Sequence, residues 1–173
     1  LSGCMRRVQH RLLGQFHTGV PTAMFQGLLV GAALENIHQN SLWDVDWATG
    51  AVKDGLLAVR DKLSEEGRSL TDAAEKGIPD TVLNCIACVS HYIERFAPKF
   101  ICCEFIGVEV PIRWTLEDHP LHEEPIEFAS HLDLIIRDTE GVWGMGVGRL
   151  IVIDWKYHRE CPSYPALYRN MQL

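Results

Sequence analysis

Two runs of sequence, FASHLDLIIR over residues 128–137 and LIVIDWKY over residues 150–157, constrain this chain more than any other feature. Both are short, apolar and rich in residues that favour strands, and each carries an acid: Asp133 in the first, and Asp154, followed by Trp155 and Lys156, in the second. Side chains alternate across a strand, so Asp154 and Lys156 share a face, while the apolar run before them belongs in a protein interior. Charges at the end of an interior strand are costly to place there. A divalent cation offsets that cost, because carboxylate oxygens suit Mg²⁺ or Mn²⁺ and a lysine beside them can face a phosphate or a water. The pattern points to phosphodiester cleavage. An ordinary ion pair on a solvated face is the other reading of an isolated Asp-x-Lys.

With 173 residues, 47% of them hydrophobic, the chain can bury one good core and needs no second domain. The expectation is a single domain over 1–173, with a helical part at about 1–97 and a catalytic sheet at about 98–173. A formal charge of −7 excludes a protein that coats nucleic acid through bulk positive charge. It does not exclude a nuclease, whose acidic site is negative until its cation arrives and whose DNA contact can rest on a local patch such as Arg6, Arg7, His10 and Arg11. The apolar stretch Ala23 to Leu34 is too short to span a bilayer and lacks the basic flank of a secretion signal. This gives the expectation of a soluble protein without a membrane partner, in the cytoplasm of a bacterium or phage-infected cell or in an organellar matrix.

Met5, Val8, Leu12 and Phe16 recur at helical spacing, and Gly19 to Pro21 end that helix. Thr22 is the expected cap of a strongly apolar helix to about His38, buried on most sides, in which Gly27 and Gly31 let something approach the backbone closely. Val52, Leu56, Leu57, Val59 and Leu63 outline a third helix ending near Gly67, and Pro79 opens a fourth that runs through Val82, Ile86, Val89, Ile93 and Phe96. After Pro98 the period changes. Residues 99–113, 126–138 and 148–157 read as three strands, and a last helix starts at about Ser163. GVWGMGVG, residues 141–148, lies between two strands and opens no helix, so it reads as a hairpin connection and not as a nucleotide-binding loop.

Further features fall in order along the chain: Gly31 with Glu35 on the second helix, Glu104 and Glu109 on the first strand, Asp133, then Asp154 with Lys156, and Gln172 on the last helix. At these residues the sequence resembles the RecB-like branch of the PD-(D/E)XK nuclease superfamily, which includes phage and bacterial recombination exonucleases and the mitochondrial genome maintenance exonuclease. The resemblance spans nearly the whole chain. It implies an α/β, restriction-endonuclease-like core: N-terminal helices, a three-stranded mainly antiparallel sheet and a C-terminal helix. It also implies a Mg²⁺- or Mn²⁺-dependent DNA exonuclease of recombination, repair or replication. Asp133, Asp154, Glu35 and the Trp155 backbone carbonyl would be metal ligands. Lys156 would orient the attacking water or stabilise the pentavalent state, and Glu104 or Glu109 together with Gln172 would position lysine, water or DNA. DNA, with a helicase or recombination protein, is the implied partner.

The departures from the family pattern are specific. Glu35 stands where many members have histidine, so either a carboxylate joins the metal shell or His38 substitutes for it; Ser130 and His131 replace the usual glycine before the aspartate. The family's tyrosine after Gln172 is absent because the chain stops at Leu173, and a truncated last helix is the expectation. Some relatives hold an iron–sulfur cluster; only Cys4 matches its cysteines, and without the later trio no cluster is expected. Cys85 and Cys88 form a C-x-x-C pair on a helix without a second pair at zinc spacing, so they read as buried thiols. His119 and His122 beside Glu123 and Glu124 read as a solvated loop; His131 shares strand parity with Asp133 and reads as a plain hydrogen-bonded histidine, a neighbour of the metal being the other reading. A structure-selective or restriction-type endonuclease, or a DNA-docking module without turnover, are the alternatives; a small-molecule metallohydrolase would need a histidine-rich shell that the sequence lacks.

Overall fold

The computed structural model describes residues 19–116 and 125–155. The expected helices before Gly19 and after Ser163, the patch at Arg6 to Arg11, Cys4, the His119–Glu124 loop, Lys156 and Gln172 lie outside them. The chain order is β1 (Gly19–Val20), α1 (Thr22–Asn40), a 3-10 turn (Val45–Trp47), α2 (Ala48–Glu65), β2 (Ser69–Leu70), α3 (Asp72–Lys76), α4 (Ile78–Phe100), β3 (Cys103–Leu116), β4 (Ile126–Asp138) and β5 (Leu150–Ile153). The protein is thus α/β, helices first and a sheet after, as the change of period indicates. The sheet has the order β3-β4-β5 and both of its pairings are antiparallel.

Several local expectations are corrected. Thr22 is the first residue of α1 and not its cap; that position belongs to Pro21, whose fixed φ and extended ψ lead the chain into the helix without a side-chain bond. Pro98 does not end α4, which continues to Phe100. Proline here deletes one hydrogen bond in the final turn, and Phe100, 1% exposed, anchors that turn where helix meets sheet. The first strand therefore begins at Cys103 and not at 99, and the third ends at Ile153. Leu57 is solvent-exposed rather than part of the inner face of α2. The close backbone approach is not at Gly31, where an added Cβ would meet nothing within 4 Å, but at Gly55 of α2, whose Cβ would lie 3.2 Å from the Ala33 nitrogen.

The larger part of the core lies between α1, α2 and α4, built from Phe25, Leu29, Ala33, Val52, Val89, Ile93 and their neighbours. A short parallel bridge between β1 and β2 caps it with Val20 and Leu70, tertiary pairing that two residues of sequence do not announce. A smaller cluster of Phe100, Leu134 and Ile136 joins α4 to the sheet. Trp43, Tyr92 and Trp155 pack against both clusters and connect the helical layer to the strands. Along β4 the even residues Leu134, Ile136 and Asp138 are buried, so its odd residues, Asp133 among them, take the opposite face. Residues 139–149 connect β4 to β5, which makes the glycine-rich segment the expected hairpin connection. Asp138 organises it. Its Oδ1 accepts the N–H groups of Glu140, Gly141 and Val142 and its Oδ2 that of Trp143. Burial opposes ionisation, and these backbone bonds outweigh it and hold the carboxyl below the usual carboxylate range. The loop's donors thus serve an internal anion.

Candidate functional site

The register of the sheet sets three acids in one row. Val108 opposite Leu134 and Val110 opposite Leu132 bracket Glu109 against Asp133, and Leu134 opposite Ile153 puts Asp154 next to Asp133 one step further. Residues directly opposite in an antiparallel pair share a face. Glu109 has a φ of +50°, the left-handed region that a glutamate rarely adopts. The pairing shifts register between Phe105 and Gly107, just ahead of it. The strand is therefore bulged and bent before Glu109, re-aiming its side chain, a device common beside functional sites.

Helix α1 supplies the facing wall. Gly27, Gly31 and Glu35 repeat every four residues and so lie on one stripe. With Lys62 of α2, Glu109 and Trp155 they line a cleft of about 700 Å³. Burial raises the Glu109 carboxyl above its ordinary value, and the charges of Glu35 and Asp133 raise it further, while His131 and Lys62 pull it down. Glu35, Glu109 and Asp133 are therefore electrostatic neighbours although they come from a helix and two different strands. Asp133 Oδ2 accepts the backbone N–H of Trp155. Asp154 is exposed and borders a second cavity of about 290 Å³ with Gly31, Tyr92, Ile153 and Trp155.

Not every candidate reaches this place. Glu104 pairs with Arg137, directly opposite it on β4, both at the solvent surface. His38 does not substitute for Glu35 in the cleft: it is 2% exposed, stacked on Trp155 at 5.0 Å and edge-on to Trp43 and Phe100. Burial lowers its pKa to about 3, so it is neutral. Cys85 is the expected buried thiol, pushed up to about 12 by burial and then by Cys88, but Cys88 is exposed, because a three-residue step turns it off the buried stripe. His131 is exposed on β4 beside the acids.

Lys62, Tyr92 and the pairing of Tyr92 with His38 carry no signal in the sequence, since they depend on how helices pack. Asp138 had a signal: an acid before turn residues readily accepts the following N–H groups. Among the described residues no group of three or more His, Cys, Asp or Glu is arranged to hold a metal ion. The chemistry of the acids nonetheless suits a hard cation, because all are oxygen donors and their mutual repulsion at Glu109 is what a positive charge relieves. No protein-family pattern, no curated protein and no solved structure matches the chain.

Proposed function

We propose that this protein is a Mg²⁺- or Mn²⁺-dependent DNA exonuclease with a restriction-endonuclease-like core, acting in recombination, repair or replication. The observation that carries the reading is the approach of acids from separate elements: Glu35 and Glu109 line one cleft, Asp133 lies opposite Glu109 in the sheet with Asp154 beside it, and burial with the charges of Glu35 and Asp133 raises the Glu109 carboxyl. Scattered surface acids do not perturb one another in this way.

On this reading Asp133, Asp154 and Glu35 would hold the cation, with the Trp155 carbonyl as a further ligand. When bound, the cation would supply acidity to a water and neutralise charge on the phosphoryl oxygens. Glu109, with its raised proton affinity, accepts a hydrogen bond or a proton from the attacking water. The Trp155 N–H donates to Asp133 Oδ2 and so orients that carboxylate. Lys62 lies where it can meet a backbone phosphate entering the cleft. Lys156 is assigned the water or the phosphoryl charge, and Gln172 a DNA contact, both from the sequence pattern.

The test is incubation of the protein with end-labelled linear and closed circular DNA, with and without Mn²⁺. Metal-dependent loss of linear DNA alone is expected, abolished by Asp133→Ala, Asp154→Ala or Lys156→Ala in variants that keep the wild-type circular dichroism. Nicking of circles would make it an endonuclease. Inertness towards both would leave a docking module and overturn the catalytic reading.

A further inference from the structure

Asp133, the central acid of the row, receives the Trp155 N–H, and the Trp155 side chain is held from two sides. His38 stacks on its ring at 5.0 Å with planes 22° apart, and its indole Nε1 donates to the Tyr92 hydroxyl at 3.3 Å. Nε1 of an indole can only donate, so Tyr92 Oη accepts there and its own proton can be given to His38 Nε2, 2.8 Å away. A chain of hydrogen bonds thus runs from Trp155 through Tyr92 to His38. These residues come from α1, α4 and the segment just after β5.

The arrangement is not what apolar packing alone would select. His38 Nδ1 is buried and makes no hydrogen bond among the described residues, and burying a polar atom in this way is unfavourable. A phenylalanine at 38 would stack on Trp155 without that penalty. The feature unique to histidine here is an acceptor for the Tyr92 hydroxyl, which in turn gives the indole N–H its partner.

We infer that Tyr92 and His38 are positioning residues: through the Trp155 side chain they fix the direction of the Trp155 backbone N–H, and with it the orientation of the Asp133 carboxylate that accepts it. This rests on the nuclease reading for its consequence in catalysis, but the mechanical claim can be read without any cleavage. Two substitutions break the chain while keeping an aromatic ring at each position: Tyr92→Phe removes only the hydroxyl, and Trp155→Phe removes the indole donor along with one of its two rings.

The experiment is amide hydrogen exchange of the complete, metal-free protein, followed at residue 155 and at Val52, which lies in the helical core. Each variant is expected to speed exchange at residue 155 at least about 10-fold while Val52 is unchanged. Unaltered exchange at 155, or equal acceleration at both positions, would overturn the inference. In the cleavage assay Tyr92→Phe is expected to lower kcat about 10-fold and raise the Mn²⁺ concentration for half-maximal rate, with KM for DNA unchanged. A rise in KM alone, or an unaffected kcat, would also overturn it. If the wild-type chain does not cleave DNA at all, the nuclease reading falls and the exchange result still decides whether the chain of bonds holds Asp133.

Discussion

Glu109 illustrates how one residue can be unfavourable for folding and placed for chemistry. Its φ of +50° is strained for a side chain with a Cβ, and its carboxylate is pressed by burial and by Glu35 and Asp133. A folded-state pKa raised above the ordinary 4.5 means that the native protein binds this proton more tightly than the unfolded chain. The wild type accordingly gains stability as pH falls through the window between the raised value and 4.5, and at neutral pH carries the full penalty of the ionised form. Glu109→Gln removes that penalty. At pH 7 the variant should be about 0.5 kcal/mol more stable, the scale of a partly screened charge interaction, raising Tm by about 1–2 °C. Its Tm should lose the acid-side gain that the wild type shows, and its DNA cleavage should fall at least about 100-fold. A thermal melt from pH 4 to pH 7 checks the first pair and the cleavage assay the last. An unchanged or lower Tm at pH 7 would show that the charge of Glu109 is relieved by some group outside the described residues.

Elements with a strong internal period were legible from sequence: α2, α4 and the apolar run of β4 lie where their spacing places them. The extension of α4 past Pro98 was not, because it depends on Phe100 finding a socket against Leu134 and Ile136, a contact between residues more than thirty positions apart. The same distinction governs the glycines. Gly31 and Gly55 look alike as helical glycines, yet one faces an open cleft and the other touches the neighbouring helix. Gly31→Ala should stabilise by about 0.5–1 kcal/mol, the ordinary gain of alanine over glycine in a helix, whereas at Gly55 the contact of 3.2 Å to the Ala33 nitrogen should cancel or reverse that gain. Denaturant melts of the two variants check the contrast. The β4–β5 connection depends in turn on Asp138. Asp138→Asn replaces one of its acceptor oxygens with a donor and confronts a backbone N–H with another N–H, so Tm should fall by roughly 5 °C or more. Because this carboxyl is held below its ordinary 3.8, its contribution is complete above that value and is lost as pH falls through the lower folded value.

At the scale of the whole molecule the acids lie on both sides of the junction between helices and sheet. Glu35 belongs to α1, packed in the helical core, while Glu109 and Asp133 belong to the strands, and the chain as a whole carries a net charge of −7. Asp133 and Asp154 were legible because acids within apolar, strand-like runs stand out in a sequence; the nearness of Glu109 to Glu35 and Asp133 depends on sheet register and helix packing, and Lys62 and Tyr92 were not legible at all, since Tyr92 reaches its partners at 38 and 155 across 54 and 63 positions. A cation bound between these acids would bridge the two layers, so its binding free energy would be added to the stability of the whole. At ten times the dissociation constant the gain is about 1.4 kcal/mol, or a rise in Tm of about 3–5 °C. Mn²⁺ should raise the Tm of the wild type by that amount over NaCl of equal ionic strength, which controls for simple screening of the net charge. Glu35→Gln, which removes the helical side of the bridge, should lose most of the rise, and Glu35→Gln with Asp133→Asn all of it. An equal rise in wild type and double variant would place the cation elsewhere on this acidic surface, and the cleft would then lack the property on which its proposed chemistry depends.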